Sequence, residues 1–155
     1  MLFSTIQDLL LQLPKGYRVL GIDPGSKQIG LALSDVSLML ASPYETIKRG
    51  KVSAFAQYLQ QLALKEQIGG LVCGLPLSLD GQFGPAAQAA KDWITAVSNV
   101  SGLPACLWDE RLSSSAVNRF LIEQADLSRK KRNQIVDKMA ASYMLQAALD
   151  AAKNR

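Results

Sequence analysis

The chain has 155 residues, 48% of them hydrophobic and 19% charged, which suits one ordinary domain with a sizeable core. Seventeen Lys and Arg against thirteen Asp and Glu give a formal charge of +4, and there is no histidine. That absence excludes Ser-His-Asp and Cys-His catalysis in their usual forms and zinc sites built on imidazole, so any metal is expected on oxygen ligands, which favours Mg²⁺ or Mn²⁺.

No apolar run approaches the roughly 18 residues that span a bilayer. The opening "MLFSTIQDLLLQLP" has no basic n-region and no small-residue cleavage site, and it carries Asp8 in its apolar part. It reads as an amphipathic helix docked on the domain or on another subunit. Residues 1–16 are therefore set apart as a helical extension, and 17–152 as a single domain.

After the Pro14–Gly16 turn signal, a strand is expected over about 17–23, stopped by Pro24-Gly25. "QIGLALSD" gives a second strand and "YETI" part of a third. Their short connections predict an antiparallel meander. "SAFAQYLQQLALKEQ" places Phe55, Leu59 and Leu62 at helical spacing. "IGGLVCGLP" is a continuous apolar run, as in a strand buried on both faces. The loop "LPLSLDGQFGP", a helix over about 85–98 and the buried strand "LPACLWDE" follow. A helix over about 114–125 is expected next, with Ser113 or Ser114 as N-cap. A last helix runs to about Ala152, and capping by Ser128 would place the basic run "RKKR" on its first turns. Cys73 and Cys106 both fall in strand-like runs and read as reduced core thiols of a cytoplasmic protein.

Three strands, then helix, strand, helix, strand and two helices, predict an α/β layer with a mixed sheet, its later strands joined by right-handed crossovers. Ligands in such sheets bind beyond the carboxyl ends of the strands. Asp23-Pro24-Gly25, Gly74-Leu75-Pro76 and Asp109-Glu110-Arg111 occupy those ends.

The stretch "QIVDKMAASYMLQAA", residues 134–148, contains a charge that needs an explanation. Asp137 shares a helical stripe with Ala140, Ala141, Met144, Leu145 and Ala148. The small residues let this helix approach the sheet closely, which would bring Asp137 beside Asp23 and one acid of the Asp109-Glu110 pair. Alternation along the strand sends those two side chains to opposite faces, and at most one of them readily meets Asp23. Gathered carboxylates repel, and divalent cations let them coexist. Two such ions can activate water and clamp a phosphodiester between them. Lys27, Arg111 and the run Arg129, Lys130, Lys131 and Arg132 are placed to hold neighbouring phosphates. "DPGSKQIG" also resembles the first phosphate loop of actin-like and sugar-kinase ATPases, but those proteins close two lobes over ATP and this chain has room for one.

"GIDPGSKQIGLALSD", "GLPLSLDGQFG", "DERLSS" and "VDKMAAS" occur in the order and spacing of the YqgF (RuvX-like) family, which the chain resembles from about Tyr17 to Leu149. The resemblance implies a ribonuclease H-like fold with a five-stranded mixed sheet in the order 3-2-1-4-5, flanked by helices. It implies a nuclease that matures the 5′ end of pre-16S ribosomal RNA. The alternative is a Holliday junction resolvase acting on branched DNA; a binding module that does not cut is the reading outside enzymology. By motif, the catalytic and metal-binding acids would be Asp23, Glu110 and Asp137, with Glu110 chosen as the middle acid of "DER". The loop holding Gly74, Pro76, Asp80 and Gly81 would wall the site. The chain departs from the family pattern at Gln28, where Arg is more usual, and at Ser78-Leu79, where Asn-Met is common. Nucleic acid is the expected partner, pre-rRNA ahead of branched DNA, with no membrane and with a monomer or weak homodimer as the working form.

Overall fold

In a computed structural model the protein is described over residues 1–25, 27–75, 84–109 and 129–153, with side chains of the last segment described from Asp137 onward. The expected helix over 114–125, its Ser113 or Ser114 cap and the Ser128 cap lie outside the described residues, as do Pro76, Asp80 and Gly81.

Among the described residues six strands form one mixed sheet: β1 (Leu2–Phe3), β2 (Arg18–Pro24), β3 (Gln28–Ser34), β4 (Ala41–Lys48), β5 (Ile68–Leu75) and β6 (Ala105–Asp109), in the spatial order β1-β6-β5-β2-β3-β4. Strands β2, β3 and β4 are the expected antiparallel meander, and β5 and β6 lie parallel to β2. The anticipated order 3-2-1-4-5 is thus present as β4-β3-β2-β5-β6, and the count is corrected from five strands to six. The additional strand comes from the N-terminal segment, where Leu2 and Phe3 pair in parallel with Ala105 and Cys106. A two-residue strand has no length over which to display alternation, so its pattern cannot announce it. It covers the outer edge of β6, which would otherwise present unpaired backbone groups.

Helices α1 (Ile6–Gln12), α2 (Val52–Glu66), α3 (Pro85–Ser101) and α4 (Arg129–Lys153) flank the sheet. Four of the ends of the first three have a local cause. The Thr5 hydroxyl accepts from the Asp8 N–H at 3.1 Å to cap α1. Gln67, in the left-handed region, closes α2, while Pro85 opens α3 and Gly102 ends it at φ 78°.

Alternation along the strands divides the core into two layers. Leu20 and Ile22 of β2, with Ile29 and Leu31 of β3, pack with Phe55, Leu59, Trp93 and Ile94 of α2 and α3. Val19, Ala32, Val72 and Cys106 face the other way and pack with Leu9 of α1 and with Ala141, Met144 and Leu145 of α4. The alanine stripe of α4 is buried as its spacing required: Ala141 and Ala148 are fully covered and Ala140 nearly so. The two cysteines are thiols buried in opposite layers, and burial pushes the Cys106 thiol up to about 12. Among the described residues no helix is long and apolar enough to cross a membrane.

The approach of α4 to the sheet is close because two strand positions lack a side chain. A Cβ on Gly21 would stand 2.9 Å from the Leu145 Cβ and 3.3 Å from the Ala141 carbonyl oxygen. A Cβ on Gly30 would run into the backbone carbonyl of Asp137 itself. Helix backbone cannot yield as a flexible side chain does. We therefore expect Gly30→Ala to cost about 3 kcal/mol in urea unfolding, at the upper end of overpacking penalties. Gly50→Ala, where nothing lies within 4 Å, should stay within about 0.5 kcal/mol of the parent.

Candidate active site

Strands β2, β5 and β6 run parallel, so their carboxyl ends share one edge of the sheet. Ile22 is level with Cys73, which is level with Leu107; Leu75 is level with Asp109. Asp23 stands one residue past Ile22, at this edge. It has the parity of Val19 and Gly21, the positions covered by α4.

The antiparallel register pairs Asp23 with Gly30, and Gly30 lies directly beneath the Asp137 backbone. A missing side chain on the neighbouring strand thus seats one acid next to the other, although 114 positions separate them in the chain. Asp137 is partly buried, and burial first, then the charge of Asp23, pushes its carboxyl up from 3.8 to about 6. Two acids crowded at one edge, one of them drawn out of water, form an all-oxygen donor set that a hard divalent cation would relieve.

The other candidates divide. Asp109 has the parity of Ala105 and Leu107, whose side chains join the α2–α3 layer, so it does not share the layer of Asp137. Lys27 is exposed in the turn that follows Asp23. Glu110 and Arg111 lie outside the described residues. Arg129, Lys130, Lys131 and Arg132 open α4 and occupy its first turn, while their side chains lie outside the described set. Gly74, one residue before the end of β5, is level with Trp108.

One site residue was not singled out from the sequence. Arg49, in the run "IKRGK", hydrogen-bonds the turn behind Asp23 with both backbone and side chain. Only the positive charge of that run is visible in one dimension. The turn that Arg49 holds is some 20 residues earlier in the chain, and its stacking partner, Trp93, is more than 40 later.

The raised pKa of Asp137 has a consequence for stability. The folded protein holds this proton more tightly than the unfolded chain does, so the ionised form burdens the fold above about pH 6. The burden shrinks as pH falls from about 6 towards 3.8 and is absent below that. In metal-free buffer at pH 7.5, Asp137→Asn should be more stable than the parent by roughly 1 kcal/mol, a figure reduced for solvent screening of a partly exposed group. Thermal melts from pH 7.5 to 4 should show this advantage fading.

A protein-family profile described as RuvX, Holliday junction resolvase, matches residues 17–151. A candidate pre-16S rRNA nuclease of Gluconacetobacter diazotrophicus is 64% identical over 140 residues, covering 90% of this chain and 91% of that protein. One from Gluconobacter oxydans is 62% identical over 146 residues, covering 94% and 91%. Among solved structures, Thermus thermophilus RuvC in complex with a Holliday junction substrate superposes with a TM-score of 0.52 at 16% identity, over 89% of this chain and 96% of that one. That likeness concerns the fold, which is the ribonuclease H-like one. With a profile spanning nearly the whole domain and close relatives along its length, the chain belongs to the RuvX family of nucleases.

Proposed function

We propose that this protein is a divalent-metal-dependent endonuclease that hydrolyses phosphodiester bonds in RNA, acting in 5′-end processing of pre-16S rRNA. The observation that carries the reading is the seating of Asp23 beside Asp137 at the carboxyl edge of the sheet, through the side-chain-free contact at Gly30. Asp23, Asp137 and Glu110 would hold the metal. Glu110 is preferred to Asp109 because Asp109 has the strand parity of the opposite layer. When bound, Mg²⁺ or Mn²⁺ supplies charge neutralisation at the phosphodiester and makes water a better nucleophile near neutral pH.

The chain's own residues do the rest. The Asp137 carboxyl, partly withdrawn from water, gains from a cation what it loses in hydration. Lys27, exposed in the turn that follows Asp23, would take a neighbouring phosphate, and Arg111 is assigned the same role. The run Arg129–Arg132 sits on the first turn of α4, where the helix dipole disfavours each cation by about 0.3–1 kcal/mol. Four cations kept against that field fit a surface that receives a polyanion. Reduced, buried thiols suit a cytoplasmic setting, and we assign a monomer or weak homodimer as the working form.

The relatives described as rRNA nucleases favour RNA, while the family's own description favours branched DNA as a second reading. Symmetric incision of a junction needs two sites related by a two-fold axis. Purified protein with Mg²⁺ or Mn²⁺, offered a pre-16S 5′-leader RNA and a four-way DNA junction, should cut the RNA. Asp23→Asn and Asp137→Asn should each lower kcat by at least about 100-fold with the fold retained by circular dichroism. Parental cleavage by either variant would end the assignment, and paired cuts in the junction alone would move it to resolution of DNA. Replacing all four of Arg129–Arg132 by Gln should weaken RNA binding and flatten the slope of log K against log salt by about 3.

A further inference from the structure

The turn that follows Asp23 is gripped from the side of the sheet opposite Asp137. Within the turn the Gly25 N–H donates to the Gln28 carbonyl at 2.9 Å, closing the β2–β3 hairpin, and a side chain at Gly25 would run into that carbonyl. Arg49, one residue past the end of β4, holds both arms of this hairpin. Its backbone N–H donates to the Lys27 carbonyl at 2.9 Å, and its guanidinium Nη1 donates to the Gly25 carbonyl at 2.9 Å. The guanidinium also lies over the Trp93 indole, 4.9 Å from the ring centroid. Trp93 is buried and stacked on Phe55 at 5.3 Å, so the platform beneath Arg49 belongs to the core.

We propose that Arg49 is a positioning residue of the nuclease site: it ties Gly25 and Lys27 to the α2–α3 layer and so fixes where Asp23 presents its carboxylate to Asp137 and to a bound metal. The inference rests on the nuclease reading above and deepens it. The geometry distinguishes this role from that of a general phosphate-binding cation. The guanidinium already donates to a backbone carbonyl and lies over an aromatic ring. Both functions need the planar, forked head of arginine, and the compact ammonium of lysine replaces them poorly.

The test uses Arg49→Ala and Arg49→Lys in the full chain. Amide hydrogen exchange in peptides covering 23–30 should quicken about tenfold in both variants, the scale of one lost hydrogen bond, with peptides of β5 unchanged. Mn²⁺ affinity by calorimetric titration should fall about tenfold, and kcat about 10- to 100-fold, with KM for RNA within about threefold of the parent. Rescue by Arg49→Lys together with an effect on KM alone would make Arg49 a substrate-binding charge and overturn the proposal. Faster exchange with unaltered Mn²⁺ affinity and kcat would make it a purely structural tether, which also overturns it, as would unchanged exchange. Asp23→Asn and Asp137→Asn run alongside separate the two questions. If they cleave at the parental rate the nuclease reading fails, while exchange and Mn²⁺ affinity still decide whether Arg49 positions Asp23.

Discussion

The structure depends on how near one helix can come to one pair of strands. Helix α4 rests on β2 and β3 at Gly21 and Gly30, with Leu145 and the Ala141 carbonyl filling the space at Gly21 and the Asp137 backbone the space at Gly30. Packing at this range maximises dispersion contacts and tolerates no added atom in the way. It also decides where the chemistry can sit. Gly30 is paired with Asp23 on one side and covered by the Asp137 backbone on the other, so the contact that builds the core also sets the two carboxylates together. The acid pair burdens the apo fold, since Asp137 loses hydration and faces a like charge. The apolar stripe that continues through Met144, Leu145 and Ala148 offsets that burden.

The sheet contributes direction. Because β2, β5 and β6 are parallel, three carboxyl ends open on one edge, and strand parity sorts what each end presents. Asp23 falls in the α4 layer and Asp109 in the other. The edge is held from both faces: α4 covers it on one side, and Arg49 on its Trp93 platform ties the turn on the other.

Much of this was legible in one dimension. The alternation of "QIGLALSD", the unbroken apolar run of "IGGLVCGLP" and the 3.6-residue spacing of Phe55, Leu59 and Leu62 each produced the element they predict, within a few residues at the ends. Asp137 stood out because a carboxylate on an alanine-rich stripe contradicts the pattern around it, and such contradictions mark functional positions. Three things were hidden. Strand β1 is too short to carry a period. The choice between Asp109 and Glu110 could not be made from alternation alone, because it needs to be known which layer each parity faces. Arg49 could be read only as a charge, since its partners Gly25, Lys27 and Trp93 are gathered by the fold and not by proximity in the chain.

The long separation between the two acids carries a further meaning. Asp23 lies in the second strand and Asp137 in the last helix, so nearly the entire polypeptide must be synthesised before they can meet. Until α4 docks, Gly21 and Gly30 lack the helix atoms that cover them. A chain still emerging from the ribosome, or one cut short ahead of α4, therefore lacks the paired acids.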